Sequence, residues 1–97
     1  MQQASEAFEA LEAGAHALKI FPASSCGPDF VRAIRAVLPP VPLYAVGGIT
    51  ANNLAAYLAA GCTGAGLGSQ LYRPQQPLSQ TKAMAQAFMQ TFRAATP

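Results

Sequence analysis

Tryptophan is absent from the 97 residues, histidine occurs once, and only 10% of the chain is charged. The six basic residues, Lys19, Arg32, Arg35, Arg73, Lys82 and Arg93, are spread too thinly to grip a nucleic-acid backbone. His16 stands alone, and Cys26 and Cys62 have no CxxC or Cys/His spacing, so these residues build no metal site. Two isolated thiols fit reduced, structural cysteines of a cytoplasmic protein better than a disulfide. No signal peptide precedes the first helix, and no apolar run approaches the ~18 residues that span a bilayer; neither favours a membrane location. The 52% hydrophobic content supports one core in a single domain over residues 1–97. Set against so little charge, it also implies that part of the surface is meant to be covered by further protein.

What is present is a repeating hand-over between helix and strand. Residues 4–13 read as a helix, with Ser5 as N-cap and Ala7, Phe8 and Leu11 as its apolar stripe; Gly14 ends it. A strand over 16–21 stops at Pro22, and 23–27 is a small-residue loop. Pro28 opens a helix over 28–37, whose apolar face is Phe30, Val31, Ile34 and Val37. A second strand runs over 41–46, Thr50 caps a helix over 51–60, and a third strand spans 63–67. A final helix over 78–95 is predicted to turn Leu78, Met84, Ala85, Phe88, Met89 and Phe92 inward.

The segment Leu11 to Ala15 echoes Leu58 to Cys62, each a helix, a glycine and then a strand. The order αβαβαβα with short connections implies parallel strands, and such evenly repeated units suit a (β/α) barrel. Three strands cannot close one. The fold expected is α/β, the C-terminal half of a (β/α)8 TIM barrel.

Lys19 is the group with most to say about chemistry. It interrupts the apolar strand Ala17-Leu18-Lys19-Ile20-Phe21, whose composition reads as buried on both faces. An ammonium there must be desolvated, and a lysine held neutral in a dry pocket can form a Schiff base with a carbonyl substrate. The competing reading is a lysine that snorkels to water or pairs with a carboxylate. Strand alternation sets Ala17, Lys19 and Phe21 on one face, away from Leu18 and Ile20.

Gly47-Gly48 and Gly66-Leu67-Gly68-Ser69 follow the next two strands. Glycines in those places let backbone N–H groups approach an anion, although each pair alone is equally a tight turn. Glu6, Glu9 and Glu12 lie at helical spacing and read as a solvated face, and Asp29 sits in a helix's first turn. Tyr44 shares its face with Val46, as a pocket wall or as core. Tyr72 and Arg73 read as loop.

The runs Leu18-Lys19-Ile20-Phe21-Pro22-Ala23, Gly27-Pro28, Ala36-Val37-Leu38-Pro39, Ala45-Val46-Gly47-Gly48-Ile49 and Gly66-Leu67-Gly68-Ser69-Gln70-Leu71-Tyr72 resemble the 2-keto-3-deoxy-6-phosphogluconate aldolase family, in order and in spacing. Val46 ahead of Gly47-Gly48 is closer to the branch acting on the 2-dehydro-3-deoxy-6-phosphogalactonate epimer. The resemblance implies a class I aldehyde-lyase, without metal or cofactor, that cleaves this phosphorylated keto-deoxy sugar acid to pyruvate and glyceraldehyde 3-phosphate. It implies Lys19 as the Schiff-base nucleophile, Phe21 against the pyruvyl portion, and Val46 where substrate hydroxyls pass. Gly47, Gly48, Gly68 and Ser69 correspond to the phosphate-binding loops. Full-length members are trimers, so a homo-oligomer is expected.

Members of this family run to roughly 200 residues as an eight-stranded barrel; this chain begins just before strand six. The resemblance assigns the acid/base glutamate, and the arginine and threonine on the pyruvate carboxylate, to the other half. Glu6, Glu9 and Glu12, on an outer helix, do not replace that glutamate. A proton shuttle contributes ~10²–10⁴-fold, so the chain alone is expected to be feebly active or inactive, and unstable unless half-barrels pair. A non-catalytic phosphate-binding half-barrel that self-associates is the alternative, but it has no use for a buried Lys19. A phosphate-binding isomerase or epimerase would share the glycine loops and need an acid/base pair that the sequence does not offer.

Overall fold

Gly14 and Gly61 close their helices in the same way. In the computed structural model, which describes residues 4–68 and 71–95, both have positive φ (98° and 122°). The N–H of Gly14 donates to Leu11 and that of Ala15 to Ala10; Gly61 donates to Leu58 and Cys62 to Tyr57. Each pair satisfies two of the carbonyls that a helix end otherwise leaves open. The sequence echo is thus one structural device used twice.

The elements are α1 (Ala4–Glu12), β1 (Leu18–Ile20), α2 (Ala23–Val37), β2 (Leu43–Val46), α3 (Leu54–Ala60), β3 (Gly64–Gly66) and α4 (Leu78–Ala95). The strands form one parallel sheet in the order β1-β2-β3, with Lys19 opposite Tyr44 and Tyr44 opposite Gly64. Three local expectations are corrected. Ser5 lies inside α1 rather than capping it. The stretch 23–27 is a helical turn, held by Ser25 and Cys26 N–H groups on the Pro22 carbonyl, which Gly27 (φ 81°) joins to the main helix. The third helix starts at Leu54, because residues 51–53 form a turn bracketed by reciprocal bonds: Asn53 N–H to Thr50 Oγ1 at 3.2 Å, and Thr50 N–H to Asn53 Oδ1 at 2.8 Å.

Leu18 and Ile20 on β1, and Leu43 and Ala45 on β2, are buried with Val31, Ile34, Leu54, Tyr57 and Phe88 of the helices in one core. Lys19 and Tyr44, on the opposite face, are exposed. The strand is therefore covered on one face, not two. Its apolar run reflects a sheet designed to be enclosed, whereas three strands leave the inner face open. The last helix departs in the same sense. Of its six predicted inward residues only Phe88 is buried; Leu78 is 83% exposed and Met89 46%. Glu6, Glu9 and Glu12 are exposed, as expected.

Arg35 ties the lower end of the sheet together. Its Nε donates to the Gly61 carbonyl (3.1 Å) and its Nη1 to that of Val41 (2.8 Å), joining the α3–β3 turn to the start of β2. Cys62 is buried beside it: burial raises its thiol pKa, and the Arg35 charge offsets part of that rise. Burial likewise raises the Tyr57 phenol, helped by Cys26 and Cys62. Groups raised in the folded state stabilise fully below their ordinary values, 9.0 and 10.0, and less as pH climbs past them. Urea midpoints should thus hold steady from neutral pH and fall above about pH 9, with up to ~1.4 kcal/mol per pH unit for each group. In Cys62→Ala the decline should begin about one unit later; an unchanged profile would remove the thiol from the account.

Candidate active site

Three loops meet at the C-terminal end of the sheet. Phe21 follows β1, Gly47 and Gly48 follow β2, and Leu67 and Gly68 follow β3; with Val46, Ile49 and Gly66 they line a cavity of about 290 Å³. Lys19 stands on the open face just below, its Nζ 5.9 Å from the centre of the Phe21 ring, a distance at which a cation is still attracted to the ring face. Phe21 is thus the link between the amine and the glycine cavity. A second cavity, about 350 Å³, lies at the β3 edge among apolar side chains and touches neither Lys19 nor the glycine pairs.

The glycines are required by space as well as by φ. Gly47 and Gly48 have φ of 98° and 76°. A Cβ on Gly47 would come within 3.1 Å of the Phe21 ring, and one on Gly48 within 2.5 Å of the Ser24 side chain. In β3, a Cβ on Gly66 would strike Val46 at 2.9 Å, so the bare strand lets Val46 lean over it.

Both carbonyls of the glycine pair are occupied. Ser24 N–H donates to Gly47 (3.0 Å), and Asn53 Nδ2 to Gly48 (3.0 Å). A trans peptide carries its N–H opposite its C=O. The Gly48 and Ile49 N–H groups therefore face away from Ser24 and Asn53, and both residues line the cavity. Backbone donors at a cavity wall are what an anion such as phosphate needs.

Of the predicted site residues, the fold gathers Lys19, Phe21, Val46, Gly47, Gly48 and Gly68 at one end of the sheet. Ser69 lies outside the described residues. Tyr44 is on the Lys19 face, but its ring lies over Gly64 and borders the β3-edge cavity. Sequence reasoning missed Ser24 and Asn53, which position the glycine loop, and Tyr57. The available signal was Thr50-x-x-Asn53, a reciprocal capping spacing. Among the described residues no group of three or more His, Cys, Asp or Glu side chains could hold a metal ion, and no helix is long and apolar enough to cross a membrane.

Tyr57 supports the site from beneath. Its buried hydroxyl donates to the Ala23 carbonyl at 2.8 Å, anchoring the turn that follows Phe21. Tyr57→Phe strands that carbonyl, and should lower stability by ~1 kcal/mol, or ~4–8 °C in Tm. A melting temperature equal to wild type would mean that the bond contributes nothing.

The family model for KDPG and KHG aldolase matches residues 1–88. A 2-dehydro-3-deoxy-6-phosphogalactonate aldolase of Escherichia coli (strain K12) is 55% identical over 93 residues, 95% of this chain and 45% of that protein. A probable enzyme of the same name from Rhizobium meliloti (strain 1021) is 44% identical over 88 residues, 90% of this chain and 42% of its own. A thiamine-phosphate synthase of Geobacillus kaustophilus (strain HTA426) is 36% identical over 92 residues, 84% of this chain and 42% of that one. A solved structure described as native KDPGal matches with a TM-score of 0.93 and 53% identity, over 98% of this chain and 47% of its own. A cube-shaped cage designed by fusing symmetric oligomeric domains matches with a TM-score of 0.92 and 53% identity, over 98% of this chain and 36% of its own. The chain spans about half the length of the curated relatives it matches. With three parallel strands and four helices among its described residues it has the architecture of part of a TIM barrel, and it belongs to the KDPG and KHG aldolase family.

Proposed function

We propose that this chain carries the nucleophile and the phosphate grip of a class I aldolase acting on 2-dehydro-3-deoxy-6-phosphogalactonate in the cytoplasm. The observation that carries the reading is Phe21, which borders the glycine cavity while its ring lies 5.9 Å from Lys19 Nζ. A substrate with its phosphate against Gly47, Gly48 and Gly68 would lay its keto end toward the lysine, past Val46. Lys19 Nζ, as the neutral amine, attacks the keto carbon; loss of water leaves an iminium. That cation takes up the electron pair as the substrate's hydroxyl gives its proton to a base expected in the other half of the barrel and the carbon–carbon bond breaks, releasing glyceraldehyde 3-phosphate and leaving an enamine; return of a proton to the enamine carbon gives the pyruvyl iminium, which water hydrolyses to free pyruvate and the lysine.

The relatives support the phosphate part independently. An aldolase and a thiamine-phosphate synthase each match most of this chain with about half of their own length, and both names carry a phosphorylated compound. Two different chemistries sharing one segment favour a common anion site over a common reaction. The homo-oligomer remains part of this proposal, and the fused oligomeric domains of the matching cage support it.

The test is to incubate the folded chain with pyruvate and borohydride, digest it and weigh the peptides. A reduced pyruvyl adduct on Lys19 is the expected product. A folded sample with no adduct there would sink the Schiff-base assignment.

A further inference from the structure

We propose that Asn53 is a positioning residue for phosphate binding: its side-chain amide fixes the peptide planes on both sides of Ile49 and keeps the Ile49 N–H turned into the glycine cavity. This deepens the proposed function and rests on its phosphate site. Oδ1 of Asn53 accepts from the Thr50 N–H at 2.8 Å, and Nδ2 donates to the Gly48 carbonyl at 3.0 Å. The first bond holds the Ile49–Thr50 peptide and the second holds the Gly48–Ile49 peptide. Each peptide turns as a rigid plane, so one amide sets the rotation of both.

Ile49 is only 1% exposed, yet it borders the cavity of about 290 Å³. Among the described residues its N–H meets no hydrogen-bond acceptor. A buried N–H left open toward a cavity is satisfied by whatever acceptor the cavity takes in. None of the described residues lining that cavity is charged, so backbone donors must grip the anion, and their aim decides how well they do so.

The aim depends on Asn53 because the backbone beside it yields easily. Gly48 has φ of 76° and no Cβ, so rotation about its bonds meets little steric resistance. Reversing the Gly48–Ile49 peptide would put a carbonyl oxygen where the N–H stands, and an acceptor there repels an anion. Asn53 can resist that reversal because it is itself firmly mounted. Its own N–H donates to Thr50 Oγ1 (3.2 Å), and the N–H of buried Leu54 donates to the Thr50 carbonyl (3.0 Å). From α4, Thr91 Oγ1 donates to the Ala51 carbonyl at 3.2 Å. The amide also has one orientation: exchanging its oxygen and nitrogen would set donor against donor and acceptor against acceptor.

The experiment titrates the folded, ¹⁵N-labelled chain with inorganic phosphate and follows the backbone amide signals of Gly48 and Ile49, with melting temperature measured in parallel. Wild type should show saturable shifts at both. Asn53→Ser keeps a polar group for the turn but is too short to reach Gly48. Asn53→Asp keeps the acceptor for Thr50 and loses the donor to Gly48. Each should weaken phosphate binding by about tenfold or more, the effect of losing one donor aimed at an anion. Thr50→Val removes only the hydroxyl beneath the Asn53 N–H; it should lower the melting temperature yet bind phosphate as wild type does. A merely structural Asn53 would instead make affinity follow melting temperature across all three variants, and that result overturns the proposal. So does wild-type affinity in Asn53→Ser, since a loss confined to Asn53→Asp reports only the added charge. A wild-type chain without saturable shifts would remove the phosphate site itself and this inference with it, a failure distinct from one seen only in the variants.

Discussion

Lys19→Met is expected to abolish the borohydride-trapped pyruvate adduct while leaving the fold in place. The methionine keeps most of the aliphatic stem and removes the one atom the chemistry needs. Lys19 lies on the open face of the sheet, outside the core, so its removal touches no buried packing. The attraction of its ammonium to the Phe21 ring is worth ~0.5–1 kcal/mol at an exposed site. Melting should therefore shift by only a few degrees, against complete loss of the adduct. The control is the only other lysine, Lys82, on an exposed turn of α4. Lys82→Met should keep the adduct, and peptide mapping should return it to Lys19. An adduct that persists in Lys19→Met, or moves to Lys82 in wild type, would show that pyruvate is finding amines by exposure alone.

The parts of this fold that were legible in the sequence are those fixed within a few residues. Alternation put Leu18 and Ile20 on one face and Lys19 on the other, and the strand does so. The two helix–glycine hand-overs were visible because a helix end needs a residue with positive φ whatever lies beyond it. That the glycine loops meet could also be read, because two successive strand ends carried the same signal, and Gly47, Gly48 and Gly68 line one cavity.

What escaped depends on partners distant in the chain or absent from it. The stripe Ala85, Phe88, Met89 and Phe92 tells what α4 is built to bury, not whether anything is there to bury it: of these four only Phe88 is fully buried, while Ala85 and Phe92 are half-buried and Met89 is exposed. Lys19 was expected to be desolvated for the same reason. An apolar strand predicts an enclosed sheet, while enclosure depends on strands outside these residues. Ser24 and Asn53 escaped for another reason: small polar residues in a turn look alike until the carbonyls they bind are seen.

Gly48→Ala should be among the most damaging single changes outside the core, since it meets two penalties at once. The backbone at Gly48 has φ of 76°, where a side chain costs ~1–2 kcal/mol. The new methyl would sit 2.5 Å from the Cβ and Oγ of Ser24; both residues are exposed, but that Cβ is fixed to the backbone, so relieving the contact costs a further ~1–3 kcal/mol. The sum, ~2–5 kcal/mol, is a large part of what holds a small domain folded. It also acts where function is proposed, because the contact can be relieved only by moving the Ser24 turn away from the glycine loop. That loosens the bond from Ser24 N–H to the Gly47 carbonyl and opens the cavity between Phe21 and Gly48. The two penalties can be separated by a second substitution. Ser24→Gly removes both clashing atoms and retains the N–H, so the double variant should recover the packing cost and keep the cost in φ. Urea denaturation of the four proteins should give a coupling of ~1–3 kcal/mol in that direction. Additive effects would mean that the Ser24 turn shifts aside at no cost, and that the glycine is held by its backbone alone.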